Sequence, residues 1–305
     1  MKLLVTGSSG FIGKNFLLSL PKDWEIFGGY YQSTDFNKFL EKNSLDHIIP
    51  TKVDLRSHHE ITKTLKNSSY FDSCVYLAGN GDPAVSVEKS GYDLELNTLT
   101  LLNLINNVTF GKFVYFSSGA VYDGLKGAVS PERSVRPKLP YAISKLASEY
   151  YLKHFKEKGR IKDLIIVRFF GAYGPYEPER KIYSRLVKQF AFNKNPQFSI
   201  KGDGKNLIDA MYIDNAVFAI HLLLKSSLTD KTLDLYSGTS LSLTQLVAAT
   251  ARVFNLEAQI SYSEYVPEYI EFYSVDDTMK KEFGFAPKTL LNEGLRALYH
   301  KLAEE

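Results

Sequence analysis

Cysteine is all but missing from this chain. Of 305 residues only Cys74 carries a thiol, so an internal disulfide framework is excluded and a reducing, cytoplasmic setting is expected. Its context, Cys74-Val75-Tyr76-Leu77, is that of a buried strand. Long apolar runs are missing as well: none approaches the ~20 residues that cross a bilayer. The chain opens on the short apolar run Lys2–Thr6 without a signal-peptide pattern, so no membrane contact is expected. Neither sign of charge is in excess. The 37 Lys and Arg stand against 34 Asp and Glu, a net charge of +3, and no dense basic stripe interleaves with aromatic residues, which argues against a nucleic-acid partner. Internal repeats and low-complexity linkers are absent, and no metal is expected.

What is present is an ordinary globular composition, 44% hydrophobic and 23% charged, in a chain long enough for one large α/β unit or two lobes. The N-terminal run breaks into Gly7-Ser8-Ser9-Gly10-Phe11-Ile12-Gly13 and then into a helical pattern from Lys14 to Leu20. Strand, glycine turn and helix form the setting in which backbone N–H groups approach a pyrophosphate at a helix N-terminus. A plain tight turn is the other use of such glycines. Apolar runs near 2, 26, 49, 74, 113 and 165 alternate with helical patterns, which predicts an α/β fold with a doubly wound parallel sheet of Rossmann type. After Phe170 the runs shorten and loops multiply. Residues 1–170, taking back about 205–238, are expected to form a dinucleotide-binding domain, and 171–204 with 239–305 a smaller interleaved α/β substrate lobe.

At the end of the second run, Trp24 to Tyr31, an acid would take the ribose hydroxyls of NAD and a cation the 2′-phosphate of NADP. Tyr30-Tyr31-Gln32-Ser33-Thr34 offers neither, and Asp35 and Lys38 follow a little later. In Val53-Asp54-Leu55-Arg56 the aspartate suits an exocyclic amine such as adenine's, or a helix N-cap. The segment Tyr92 to Asn107, with Leu at 94, 96, 99, 101, 102 and 104, predicts a heavily buried helix in which Asn97 needs a hydrogen-bond partner.

The centre of the chain is Phe113 to Leu152. A buried strand ends in Ser117-Ser118, a Gly- and Pro-rich loop follows, and Tyr141 and Lys145 then sit one helical turn apart. A phenol titrates near 10 when unperturbed, and an ammonium one turn away is expected to lower it into a working range. Ser118 would hold a substrate oxygen against the phenol. Tyr-x-x-x-Lys alone is a weak signal among 20 tyrosines, and gains weight only from its neighbours in chain order.

In that order the chain resembles the extended short-chain dehydrogenase/reductases, the NAD-dependent epimerase/dehydratase family acting on nucleotide sugars. The matching pieces are the Thr6–Gly13 loop, Asp54-Leu55-Arg56, Leu77-Ala78-Gly79, Asn97, Ser117-Ser118-Gly119-Ala120-Val121-Tyr122, Tyr141 to Lys145, Arg168 to Pro175, Gly202-Asp203-Gly204, Tyr212-Ile213-Asp214 and Phe283 to Pro287. The resemblance implies Ser118 as catalytic hydroxyl, Tyr141 as acid/base, and Lys145 as the residue that lowers its pKa and holds the nicotinamide ribose. It implies a site for NAD or NADP, NAD favoured, made of Gly7, Ser9, Gly10, Phe11, Ile12, Gly13, Tyr30, Asp54, Leu55, Leu77, Ala78, Gly79, Asn97, Ser117, Tyr141, Lys145 and Phe170. It implies a substrate site of Ser118, Gly119, Ala120, Gly171, Arg180, Tyr183 and Asp209, and a homodimer through a helix bundle that includes the Tyr141–Phe155 helix.

Departures from the pattern narrow the chemistry. Sugar 4,6-dehydratases carry an Asp-Glu pair where Gly119-Ala120 stands, so elimination of water is disfavoured. Two phosphate-gripping arginines are replaced, one by Ile208 and one by the Val266-Pro267-Glu268-Tyr269 region, leaving Arg180, Lys181, Arg185, Lys201 and Lys205 as candidate cations. The expected activity is epimerisation of a sugar, nucleotide-activated by preference, through a keto intermediate. A keto-sugar reductase or dehydrogenase is the alternative, and a catalytically silent dinucleotide-binding protein a third.

Overall fold

The computed structural model describes residues 1–66, 68–263 and 270–304. The Val266–Tyr269 stretch, read above as lacking an arginine, lies outside them. The chain divides into two compact units: residues 1–123, 134–169 and 219–233 form the first, and 124–133, 170–218 and 234–305 the second. The segment returned to the first unit is thus 219–233, narrower than the 205–238 expected from sequence.

The first unit is built on β1 (Lys2–Thr6), β2 (Glu25–Tyr30), β3 (Ile48–Lys52), β4 (Tyr70–Tyr76), β5 (Thr109–Ser118) and the strand Ile161–Phe169. Their order across the sheet is 161–169, β5, β4, β1, β2, β3, and every one of these pairings is parallel. Lys231–Leu235 adds a seventh strand beside 161–169. A parallel sheet covered on both faces favours continuous apolar strands over alternation; β5 is buried without a break from Phe110 to Ser117 and apolar from Phe113 to Phe116, with Lys112 the charged exception. Helices α1 (Phe11–Leu17), α2 (Phe36–Lys42), α3 (His58–Thr64), α4 (Pro83–Glu88), α5 (Ser90–Leu94), α6 (Thr100–Asn107) and α7 (Pro140–Glu157) connect the strands. The core joins Leu4, Phe71, Cys74, Tyr76, Leu101, Leu104, Phe110, Phe113, Leu152 and Ile166. Cys74 is fully buried there.

One helix differs from expectation. The pattern over Tyr92–Asn107 is not one regular helix but α5, a π-turn at Glu95–Leu99, and α6. Leu94 and Leu99, expected inside, are 43% and 46% exposed. The π-turn's wider winding takes these two leucines out of the 3.6-residue phase that their spacing implied.

The second unit holds two-stranded parallel pairs, 126–129 with 271–274 and 197–200 with 259–262, and the helices Ile182–Val187, Leu243–Val253 and Leu291–Ala303. Among the described residues no helix is long and apolar enough to cross a membrane.

Candidate active site

The sheet order reverses between β1 and β4, and such a reversal opens a crevice at the carboxyl ends of the strands. The glycine loop sits there. Gly7 takes φ +68°, and a Cβ on it would lie 2.9 Å from the Ala78 nitrogen; one on Gly13 would lie 2.3 Å from the Gly7 carbonyl oxygen. Neither position has room for a side chain, so the loop wraps closely around α1. Thr6 Oγ1 accepts from the Leu77 and Ala78 amides at 3.1 and 3.2 Å, tying the loop to the end of β4. Gly10 precedes α1 and has no side chain to cap it.

A cavity of about 270 Å³ opens beside this loop. Of the residues expected at the cofactor, Gly7, Ser9, Tyr30, Asp54, Leu55, Ala78 and Gly79 line it, together with Tyr31, Gln32, Ser33, Arg56, Tyr92 and Leu96. Gly10, Phe11, Ile12, Gly13, Leu77, Asn97, Ser117, Tyr141 and Lys145 are not part of its lining, and Phe170 belongs to the second unit. Asp54 is not the cap of α3: that role falls to Ser57, whose Oγ accepts from the Glu60 amide at 3.2 Å. Asp54 is instead gripped by Arg56, with Nε on both carboxylate oxygens at 3.0 and 3.1 Å and Nη2 at 2.7 Å. Those bonds hold its carboxyl below the usual range. Arg56 also lies 5.3 Å from the centre of the Tyr31 ring. Asp35 is similarly committed, accepting from Ser33 Oγ and from Lys14 Nζ, the latter at 3.1 Å.

Ser118, Tyr141 and Lys145 come together at the end of β5. Ser118 Oγ accepts from the Ala120 amide at 3.1 Å and is bonded to the Tyr141 phenol. Lys145 is buried; its Nζ donates to the Phe116 carbonyl at 3.1 Å and lies 5.3 and 6.0 Å from the Tyr115 and Tyr141 ring centres. Burial pushes Lys145 down to about 8, against the opposing pull of Asp93 and Glu149. Burial likewise raises Tyr141, partly offset by the Ser118 hydrogen bond. The sequence expectation of a phenol lowered by its neighbouring ammonium is therefore not met in this state. Lys145 gives one of its three N–H groups to a carbonyl, and desolvation of the buried phenol dominates.

Two polar clusters missed by the sequence reading support these residues. In one, the buried Glu149 accepts from Ser117 Oγ at 2.6 Å and from Arg168 Nε and Nη2 at 3.1 and 2.8 Å, while Arg168 Nη1 donates to Tyr122 at 3.1 Å. In the other, the buried Asp93 accepts from Asn80 at 2.7 Å, Asn97 at 2.9 Å and Ser144 at 2.6 Å. The i,i+4 spacings Asp93/Asn97 and Lys145/Glu149 were the available signal. Asn97 Oδ1 is buried without a hydrogen-bond partner. An unsatisfied carbonyl beside a glycine cradle with no room for side chains suits a dinucleotide, so the residues fit the cofactor the resemblance implies.

Gly119 and Ala120 open a 3₁₀ turn at Gly119–Tyr122 and bring no acid to it. The other expected substrate residues lie in the second unit. Gly171 takes φ +147° with Ala210 Cβ 3.3 Å from where a Cβ would stand. Arg180 is exposed. Tyr183 is buried and stacked on Tyr173 at 4.0 Å. Asp209 accepts from the Ser237 amide at 2.6 Å and Ser240 Oγ at 3.0 Å, which fixes the 237–240 loop. Of the candidate cations, Lys205 pairs with Asp203 at 3.0 Å and Arg185 lies over Phe198. Glu177, which the sequence reading did not single out, accepts from Ser184 at 3.1 Å, and burial pushes it up to about 7. Among the described residues no group of three or more His, Cys, Asp or Glu is placed to hold a metal ion.

The chain resembles known proteins along nearly its whole length. The profile of the NAD dependent epimerase/dehydratase family matches residues 3–236. An uncharacterized UDP-glucose epimerase, YtcB, of Bacillus subtilis is 26% identical over 307 residues, covering 97% of this chain and 96% of its own. A dTDP-glucose 4,6-dehydratase of Streptomyces niveus is 25% identical, covering 97% and 90%. Among solved structures, UDP-glucuronic acid 4-epimerase from Bacillus cereus, in complex with UDP-glucuronic acid and NAD, superposes with a TM-score of 0.87 at 22% identity, covering 100% and 99%.

Proposed function

The chain belongs to the NAD-dependent epimerase/dehydratase family, and from that premise we propose that it is an epimerase of a nucleotide-activated sugar, inverting a ring hydroxyl at C4. The observation that carries this reading is the Ser118/Tyr141/Lys145 cluster beside the glycine cradle, with no carboxylate at positions 119 and 120. Bound NAD supplies reversible hydride exchange with the sugar carbon. Tyr141 in its ionised form takes the proton of the hydroxyl as the carbon is oxidised, and returns it to the ketone oxygen on reduction. Ser118 bridges the phenol and that oxygen. Lys145, as an ammonium, stabilises the phenolate and presents donors to the ribose. The keto sugar would turn in the pocket before Tyr141 returns the proton, so that the hydroxyl would form again on the opposite face and give the epimer. Elimination of water needs a further acid and base, which Gly119 and Ala120 do not provide.

NAD rather than NADP is the cofactor of this proposal. The expected adenosine end of the cavity carries Tyr30, Tyr31, Gln32 and Ser33; Arg56 in its lining is paired with Asp54, and Lys14, outside the lining, with Asp35. A 2′-phosphate would have to take them from those partners. The first unit is read as the dinucleotide-binding domain and the second as the substrate lobe, with a cytoplasmic location. A homodimer is part of the proposal, with the second copy on α5, the π-turn and α7, where Leu94, Leu99, Ile143, Tyr150 and Tyr151 are exposed; a light-scattering mass of a monomer would rule the dimer out.

The test is a panel of UDP- and dTDP-sugars incubated with the NAD-loaded protein and read by proton NMR. Interconversion of C4 epimers without net reduction of cofactor is expected. Stoichiometric accumulation of reduced nicotinamide would replace the reading with a dehydrogenase, and a 4-keto-6-deoxy product with a dehydratase.

A further inference from the structure

Lys145 is an amine with little access to water, and a buried ammonium needs a counter-charge. The titratable and charged groups packed around it are few. Its own helix, α7, brings Tyr141 and Glu149; β5 brings Tyr115; the 119–122 turn brings Tyr122; strand 161–169 brings Arg168; and α5 brings Asp93. Glu88 on α4 is exposed, and Glu95 in the π-turn is partly so. Of the two buried acids, Glu149 is already neutralised, since both its oxygens lie on the Arg168 guanidinium. Asp93 is bonded differently. Its donors are the Asn80 and Asn97 amides and the Ser144 hydroxyl, which carry no charge. Ser144 immediately precedes Lys145, so the same bond that holds the carboxylate fixes the helical turn bearing the lysine.

We propose that Asp93 is a positioning residue of the active site: the uncompensated buried carboxylate that keeps Lys145 an ammonium and locks its turn of α7 through Ser144. Of the two acids that pull Lys145 upward, Asp93 acts more strongly than Glu149, and it also raises Tyr141. Removing its charge moves both groups the same way, towards acid. A carboxylate that served only as a hydrogen-bond anchor would lower activity without moving either midpoint. The proposal rests on the reading of Lys145 and Tyr141 as the acid–base pair, but its first readout is independent of any substrate.

The substitution is Asp93→Asn, which keeps the shape, still accepts from Asn80 and Asn97, and donates to Ser144. The protein is labelled with ε-¹³C-lysine, the Lys145 resonance is assigned by its loss in Lys145→Arg, and it is titrated in both proteins. The Lys145 midpoint, about 8 in the parent, is expected to fall by about one pH unit or more when an opposite charge at this range is removed. At pH 8 that leaves about fivefold less ammonium, and both limbs of the epimerase pH profile move to lower pH. Ser144→Ala, which removes a bond and leaves the charge, is expected not to lower the midpoint; it also decides the matter should Asp93→Asn fail to fold. An unmoved Lys145 midpoint in a folded Asp93→Asn protein, or a fall in Ser144→Ala, overturns the proposal. A moved midpoint in a protein that epimerises nothing leaves it standing and refutes the proposed activity instead.

Discussion

Gly13→Ala tests the cradle most directly. The added methyl would stand 2.3 Å from the Gly7 oxygen, 2.7 Å from Ser8 Cα and 2.9 Å from the Ser8 carbonyl carbon. All three are backbone, so no side chain can swing aside; α1 and the Gly7–Gly10 turn must part by about an ångström to restore ordinary contact. Overpacking of this kind costs about 1–3 kcal/mol, and alanine's better helix propensity returns about 0.5–1 kcal/mol. The net loss of stability is about 0–2.5 kcal/mol. Binding suffers separately. If two backbone donors lose the pyrophosphate, at about 0.5–1.5 kcal/mol each, the Kd for NAD rises about fivefold to a hundredfold, taking 1.4 kcal/mol as a factor of ten. Calorimetric titration with NAD reads the second quantity and denaturant unfolding the first. Gly91→Ala is the control: nothing lies within 4 Å of its Cβ position in α5, so it should gain up to about 1 kcal/mol and leave NAD affinity alone. A Gly13→Ala protein that binds NAD within twofold of the parent would refute the close wrapping of the loop.

Other expectations follow from the buried charges. Glu149→Gln leaves Arg168 uncompensated at 5% exposure and should cost about 3–5 kcal/mol, most of it recovered on adding Arg168→Met; equal losses in single and double variants would argue against the pair. Glu177, held up at about 7 against an ordinary 4.5, binds its proton in the folded chain after the unfolded chain has released it. Its contribution is therefore present below pH 4.5 and lost as pH rises through 7, and Glu177→Gln should flatten that slope in denaturant midpoints. Lys145, down at about 8 from 10.5, acts in the opposite sense: the unfolded chain holds more protons between pH 8 and 10.5, so its contribution improves with rising pH in that window. Above pH 10 the buried phenols Tyr141 and Tyr183, both raised, erode it again, and unfolding midpoints should pass through a maximum between those values.

The glycine loop, the six strands at 2, 26, 49, 74, 113 and 165, and the Ser118/Tyr141/Lys145 cluster were legible because each is set by short-range rules: no room for a Cβ, unbroken apolar runs, and one helical turn between two side chains. Asp93 was not legible. A lone aspartate in a leucine-rich segment reads as a surface residue until one knows that α5 packs on α7 and turns it towards Ser144. Leu94 and Leu99 failed for the converse reason, since an even spacing of leucines cannot announce a π-turn. Arg56 was read as part of a motif, yet its real partner, Asp54, lies only two residues away; what sequence could not tell was that both would turn inward on the same cavity.

The π-turn at Glu95–Leu99 also says where this chain can lose a residue. A π-turn holds one residue more than the α-helix around it, so deleting Asn97 closes the turn into regular helix without rotating α5 against α6. The Leu96 and Asn97 carbonyls accept from the hydroxyls of Thr100 and Ser148, at 2.6 and 2.9 Å. The helix would come out shorter, straighter and sound. What it would lack is the Asn97 amide, which donates to both Asp93 and Ser144, while the direct Ser144–Asp93 bond stays; a single lost codon there would spare the fold and thin the polar cluster behind Lys145.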